Sequence, residues 1–136
     1  MLKISVITVS FNQGRYIRDN IESILSQDYP EFEHIIIDGG STDDTVSILK
    51  QYPHLLWTSE KDRGQSDGLN KGFRRATGDV IAWINSDDML APGAMKALNE
   101  FFTANPDKYV VTGNQILIDG DGNQLSVVTV SYTHLR

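Results

Sequence analysis

Cysteine is absent from the 136-residue sequence, which excludes disulfide bonds and thiolate chemistry. A strongly basic segment is also missing, and the formal net charge of −6 argues against a nucleic-acid partner. No apolar run approaches the roughly 20 residues of a membrane span, and no signal-peptide pattern opens the chain. These absences favour a cytoplasmic protein, and they leave open a longer parent protein at the inner face of the membrane.

Glycine-rich phosphate loops are missing as well. Dinucleotide-binding domains carry G-x-G-x-x-G after the first strand, and P-loop proteins carry G-x-x-x-x-G-K followed by Ser or Thr. Here the first predicted strand leads into SFNQGR at residues 10–15, with a single glycine. A diphosphate bound to this acidic chain therefore needs a divalent cation, and carboxylate oxygens are suitable ligands for Mg²⁺ or Mn²⁺.

What the sequence does contain is a regular alternation of strands and helices. Apolar strands are predicted at residues 3–9, 33–38, 54–58 and 79–85. Helices are predicted at residues 14–27, after an N-cap at Ser41, and at residues 66–76 and 92–104. Two further strands, at residues 109–118 and 124–130, flank a turn rich in aspartate and glycine.

This order predicts a mostly parallel α/β sheet flanked by helices. Two tryptophans, Trp57 and Trp83, fall inside predicted strands and are expected in the core. Ile17, Ile21 and Ile24 recur at helical spacing and are likewise expected in the core.

Polar residues gather at the carboxyl ends of the predicted strands, where parallel sheets bind ligands. Three of the four ends carry acids, and the first carries Phe11. Asp87 and Asp88 follow an apolar strand as adjacent like charges, which is costly unless a cation accompanies them. We expect them to bind a divalent cation; the other interpretation is that they start the following loop and helix.

At these residues the sequence resembles the family 2 glycosyltransferases. Residues 4–45 resemble the opening strand–helix–strand unit of that family, and residues 62–90 resemble its central segment with the D-x-D-type motif. The resemblance implies a Rossmann-like GT-A fold, with residues 1–130 forming part of a longer glycosyltransferase domain. Residues 131–136, SYTHLR, are either a genuine continuation or a tail foreign to the family.

The resemblance also implies roles for individual residues. Phe11 would lie against the nucleobase, Asp38 would accept a hydrogen bond from the base, and Asn85 would contact the ribose, where many relatives carry an acid. Asp87 and Asp88 would coordinate Mn²⁺ or Mg²⁺ on the diphosphate. The implied nucleotide-sugar site comprises Phe11, Asp38, Asp62, Gln65, Asp67 and Asn85.

The implied function is sugar transfer with inversion, from a nucleoside-diphosphate sugar such as a UDP-sugar to a saccharide or lipid-linked acceptor. A carboxylate base would take the proton of the acceptor hydroxyl, and the metal would offset charge on the leaving diphosphate. Nothing after Leu90 matches the base of the family, so we expect the base beyond the chain end. The first alternative is a non-catalytic fragment that binds nucleotide sugars. A sugar-1-phosphate nucleotidyltransferase is the second, and the missing basic glycine-rich loop disfavours it.

Overall fold

The computed structural model describes residues 1–128 and divides the chain into two units, Met1–Ala104 and Asn105–Arg136. The prediction for the tail at residues 131–136 lies outside the described residues, as do the last two residues of the predicted strand 124–130. In the part of the chain that is described, every helix is too short or too polar to cross a membrane.

The first unit alternates strands and helices as the sequence predicts. Its strands are β1 (Ile4–Ser10), β2 (Phe32–Asp38), β3 (Leu56–Ser59) and β4 (Val80–Trp83). Its helices are α1 (Ile17–Leu25), α2 (Thr45–Leu49), α3 (Gln65–Arg75) and α4 (Ala94–Ala104). All strand pairs of this sheet are parallel, in the order β3-β2-β1-β4, which confirms the predicted parallel sheet flanked by helices.

Apolar side chains cover both faces of this sheet, because successive strand residues point to opposite sides. On one face, Val6 of β1 packs with Ile24 of α1 and Met95 of α4. On the other face, Ile7 of β1 packs with Leu69 of α3. Burial on both faces explains why the strands read as nearly continuous apolar runs.

Helix α3 approaches β1 through two glycines one turn apart. A Cβ atom on Gly72 would lie 2.5 Å from Cγ2 of Ile7, and one on Gly68 would lie 2.8 Å from Cγ1 of Val9. Real Cβ atoms do not approach other atoms so closely, so a larger residue would push the helix away from the sheet. The close approach brings Gln65, the first residue of α3, to the carboxyl edge of the sheet.

The prediction that Trp83 lies in the core is wrong. Its side chain is 51% exposed, because β4 is the last strand in the sheet order and packs less completely than the central strands. Trp57, in contrast, is partly buried and packs against the apolar cluster beneath α1 and α2, as expected.

The second unit contains an antiparallel hairpin of β5 (Gln115–Ile118) and β6 (Gln124–Val128). The predicted strand 109–118 therefore begins only at Gln115. Asp119 holds the connecting turn, because its Oδ1 accepts the N–H groups of Asp121 and Asn123, both at 2.9 Å. Asp119 thus has the turn role that its position predicts.

His34 is a fully buried histidine on β2, and its Nε2 lies 2.9 Å from Oγ1 of Thr8. Burial and, to a smaller extent, repulsion from His54 lower its pKa from 6.5 to about 3. The unfolded chain binds a proton near pH 6.5, so the folded state loses stability as the pH falls from there toward 3. We expect the free energy of unfolding in urea to fall by about 2 kcal/mol between pH 7 and pH 5.

The variant His34→Gln should lose most of this pH dependence, while the matched control His54→Gln should keep most of it. A slope in His34→Gln equal to that of the wild type would contradict the assignment.

Candidate functional site

The parallel register places the carboxyl ends of three strands in one row. Ser10 of β1 is paired with Asp38 of β2, and Asp38 is paired with Ser59 of β3. Strand β4 lies on the other side of β1, and the N–H of Ile84 just beyond it donates to the carbonyl of Ile7 at 3.1 Å. The polar segments that follow these strands therefore share one edge of the sheet, named here the carboxyl edge.

Asp38 ends β2 with its side chain fully buried. Oδ2 accepts hydrogen bonds from the N–H groups of Gly40 at 3.2 Å and Ser41 at 2.8 Å, and from the hydroxyl of Ser59 at 2.6 Å. Oδ1 accepts the Ser41 hydroxyl at 2.5 Å. The predicted N-cap at Ser41 is therefore wrong: this hydroxyl binds Asp38, and α2 begins four residues later, at Thr45.

Asn12 ties the loop after β1 to the loop after β2, a role that the sequence interpretation missed. Its φ of 51° is in the left-handed region, which asparagine tolerates better than most residues. Its Oδ1 accepts the N–H of Thr42 at 2.8 Å, and its own N–H donates to Oγ of Ser41 at 2.8 Å. The preceding side chain, Phe11, is 59% exposed and available for contact at the carboxyl edge. The turn-like sequence around Asn12 is the only signal of this role.

Asp62 lies beside the end of β2, as the site prediction requires. Its Oδ1 accepts the N–H of Gly64 at 2.9 Å. A Cβ atom on Gly39 would lie 3.0 Å from Oδ2 of Asp62, so this carboxylate covers the backbone that follows Asp38. The structure thus brings two of the predicted site residues to the same strand end.

Asp67 lies in the first turn of α3, next to the cationic residues Arg63 and Lys71. Its Oδ2 accepts the N–H of Arg63 at 3.1 Å and lies 3.5 Å from Nζ of Lys71. The hydrogen bond from Arg63 and then the charge of Lys71 lower the pKa of Asp67. A shallow cleft of about 590 Å³ opens here, lined by Lys61, Asp62, Arg63, Asp67 and Lys71. Asp67 is anionic at neutral pH and is partly neutralised by its neighbours.

Three predicted site residues form one hydrogen-bonded chain. Nε2 of Gln65 donates to Oδ1 of Asn85 at 3.2 Å, and Nδ2 of Asn85 donates to Oδ2 of Asp88 at 3.3 Å. The N–H of Asp88 also donates to the Asn85 carbonyl at 3.0 Å, which closes a four-residue turn, Asn85–Asp88. Asp87 lies within this turn and is exposed. Helix α4 begins only at Ala94, so neither acid caps it.

The donor set at this turn suits a hard cation. Among residues 1–128, no group of three or more His, Cys, Asp or Glu side chains is arranged to hold a metal ion. A cation at Asp87 and Asp88 would therefore need further oxygen ligands from a bound molecule or water. Mg²⁺ is commonly held in this way, by one or two carboxylates and the phosphates of a substrate. The two carboxylates fit a metal that arrives with a phosphorylated ligand.

Asn20 on α1 is a second residue that the sequence interpretation missed. It is as completely buried as Ile17, Ile21 and Ile24, and its side-chain amide reaches the turn that carries Asp87. The available signal is a polar residue at a position where helical spacing calls for an apolar one.

Comparisons with known proteins agree with this architecture. The model of the family described as Glycosyl transferase family 2 matches residues 5–130. An uncharacterized glycosyltransferase of Nostoc sp. is 33% identical over 125 residues, which cover 88% of this chain and 38% of that protein. Poly-beta-1,6-N-acetyl-D-glucosamine synthase of Staphylococcus epidermidis is 29% identical over 136 residues, covering 97% of this chain and 33% of the synthase. The chain thus spans well under half the length of these curated relatives.

Solved structures show the same fold. The crystal structure of S. aureus TarS 1-349 in complex with UDP-GlcNAc is similar with a TM-score of 0.70 and 28% identity, covering 76% of this chain and 32% of that chain. The mannosyltransferase PcManGT from Pyrobaculum calidifontis, in complex with GDP-Man and Mn²⁺, has a TM-score of 0.68 and 23% identity, covering 87% of this chain and 36% of that chain. These likenesses confirm the predicted Rossmann-like GT-A fold.

Proposed function

The chain belongs to glycosyl transferase family 2, and we propose that its carboxyl edge binds the nucleoside-diphosphate sugar from which the whole enzyme transfers a glycosyl group. The observation that carries this proposal is the convergence of Asp38, Asp62 and the Gln65–Asn85–Asp88 chain at the ends of neighbouring parallel strands. The UDP-GlcNAc bound to TarS supports a UDP-sugar as the donor.

In this proposal Phe11 lies against the base and Asp38 accepts a hydrogen bond from it. Oδ1 of Asp38 accepts a single described hydrogen bond, and a carboxylate oxygen has room for a second. The carboxylate is buried in this structure, so the proposed contact with a base requires a local rearrangement at the end of β2. Asp62, Gln65, Asp67 and Asn85 line the nucleotide and donor-sugar side of the same edge.

Asp87 and Asp88 are the proposed ligands of a divalent cation, Mn²⁺ or Mg²⁺, which supplies positive charge to the leaving diphosphate. In the proposed reaction an acceptor hydroxyl oxygen attacks the anomeric carbon, and the bond from that carbon to the diphosphate oxygen breaks with inversion. A carboxylate base takes the hydroxyl proton. The residues described here serve the donor side of this reaction, and the proposed acceptor is a saccharide or a lipid-linked molecule.

A calorimetric titration with UDP, in Mn²⁺ and in EDTA, tests the proposal. We expect UDP to bind in Mn²⁺ and to bind at least about tenfold more weakly in EDTA, because the acidic edge repels an unaccompanied diphosphate. Equal affinity in both buffers would contradict the metal site, and no binding in either would contradict the nucleotide site. Hydrolysis of UDP-GlcNAc by this chain alone would reject the alternative of a fragment that only binds.

Replacing Phe11 with alanine should weaken UDP binding by about tenfold, because stacking of a base on an aromatic ring contributes about 1–3 kcal/mol. The side chain is 59% exposed, so the free energy of unfolding should change little. Phe73→Ala is the matched control, since Phe73 is a 43% exposed phenylalanine on α3. Equal UDP affinities for Phe11→Ala and Phe73→Ala would contradict the contact between Phe11 and the base. The conservative variant Phe11→Trp should keep most of the affinity for UDP.

A further inference from the structure

Helix α1 directs a row of polar side chains at the segment that carries the two acids. Asn20 and Ser23 are three residues apart on the helix, and Gln27 follows just after its last turn. Residues three and seven apart fall on the same side of a helix, so the three side chains point at one stretch of backbone. That stretch, residues 85–93, connects β4 to α4 and has no regular secondary structure.

Asn20 holds both ends of the acidic turn. Its Nδ2 donates one hydrogen bond to the carbonyl of Asn85 at 3.0 Å and another to the carbonyl of Asp88 at 2.9 Å. Both acceptors are carbonyl oxygens, which identifies the atom facing them as the amide nitrogen. Asp87 lies between the two residues that this buried amide clamps.

Ser23 and Gln27 hold the backbone that follows. Oγ of Ser23 accepts the N–H of Leu90 at 3.0 Å. Nε2 of Gln27 donates to the carbonyl of Ala91 at 3.0 Å, and its Oε1 accepts the N–H of Met95 at 3.3 Å. Side chains on α1 and just after its end thus satisfy backbone groups that a strand or helix would otherwise pair internally.

We propose that Asn20, Ser23 and Gln27 are positioning residues that fix the Asn85–Asp88 turn so that Asp87 and Asp88 meet the cation together. This inference rests on the proposed function, since it assigns the orientation of the same metal site. Two exposed carboxylates bind a metal well only when their backbone is already in place, because otherwise binding must also order the turn. Partners that orient metal ligands typically alter metal affinity by about 10–100-fold when they are removed.

Two variants test the positioning role of these side chains, and each is compared with a matched control variant. Ser23→Ala removes the acceptor for Leu90, and Ser23→Thr retains it in the same helix. Asn20→Asp keeps the shape of the side chain but removes the N–H donors to both carbonyls. Asn99→Asp is its control, because Oδ1 of Asn99 accepts the N–H of Leu2 at 2.9 Å and a carboxylate can still do so.

The readout is the Mn²⁺ concentration that gives half-maximal UDP binding. In Ser23→Ala and Asn20→Asp we expect this concentration to rise about 10- to 100-fold, and excess Mn²⁺ to restore the UDP affinity of the wild type. Ser23→Thr and Asn99→Asp should stay within about twofold of the wild type. Restoration by metal distinguishes a displaced metal site from general damage to the fold.

An unchanged Mn²⁺ requirement in folded Ser23→Ala would overturn the inference, and so would a loss of UDP affinity that excess Mn²⁺ does not restore. If Asn20→Asp fails to fold, Ser23→Ala and Ser23→Thr decide the matter alone. The wild type reports separately on the proposed function: if it binds no UDP in Mn²⁺, the nucleotide site fails and the positioning role fails with it.

Discussion

Replacing Asp87 with alanine is expected to abolish the metal-dependent binding of UDP and to leave the fold intact. Asp87 is exposed in the Asn85–Asp88 turn. Its removal should therefore change the free energy of unfolding by less than about 0.5 kcal/mol. In the proposed site it supplies half of the protein ligands to the cation, so UDP affinity in Mn²⁺ should fall by more than about a hundredfold.

Excess Mn²⁺ separates this variant from the positioning variants. A lost ligand cannot be replaced by more metal, so Asp87→Ala should remain impaired at concentrations that restore Ser23→Ala. Asp28→Ala is the matched control, since Asp28 is exposed on the connection that leads to the opposite, amino end of β2. UDP binding by Asp87→Ala with wild-type affinity and metal dependence would exclude Asp87 as a ligand.

Local apolar spacing is enough to predict the alternating strands and helices of the first unit. The central strands β1 and β2 are buried on both faces, and α1 places its isoleucines on the sheet. Both patterns are therefore visible in short windows of sequence. The order of the strands in the sheet cannot be predicted from local spacing, because it depends on pairings between distant segments. That is why Trp83 appears to be a core residue in the sequence and is exposed on an edge strand in the structure.

In the candidate site, too, the features set by local sequence are predictable and the contacts between distant segments are not. Strand ends are predictable, and the rule that parallel strands present polar residues at their carboxyl ends places Asn85 and Asp88 at this edge. Gln65 is expected there only from the family resemblance, and in the structure it lies within hydrogen-bonding distance of Asn85. Asn20, by contrast, contacts Asn85 and Asp88, which are 65 and 68 positions away in the sequence. No local pattern specifies contacts over such a separation. The prediction for Ser41 is wrong for a related reason. A serine shortly before two acids predicts a helix cap, whereas in the folded chain the Ser41 hydroxyl donates its hydrogen bond to Asp38.

Asp38→Ala should have the largest effect on stability of the substitutions considered. The carboxylate is fully buried and accepts four hydrogen bonds, two of them from the backbone N–H groups of Gly40 and Ser41. Alanine would leave these donors without their acceptor, at a cost of about 1–3 kcal/mol for each donor that water cannot reach. We expect a loss of at least about 3 kcal/mol in the free energy of unfolding in urea, together with the loss of UDP binding.

Asp38→Asn separates the structural role of this side chain from its proposed contact with the base. An asparagine oxygen in the place of Oδ2 can still accept the backbone N–H groups, and the amide nitrogen in the place of Oδ1 can donate to the Ser41 hydroxyl, which has a free lone pair after accepting from Asn12. The fold should therefore lose only about 1 kcal/mol.

The same exchange puts a donor where the base requires an acceptor, so UDP affinity should fall by about tenfold or more in Asp38→Asn. Calorimetric titration in saturating Mn²⁺ measures this change, and thermal unfolding of the same sample confirms that the variant is folded. Wild-type UDP affinity in folded Asp38→Asn would limit Asp38 to holding the loop at residues 39–41. Recognition of the base would then be assigned to Phe11 and the backbone around it.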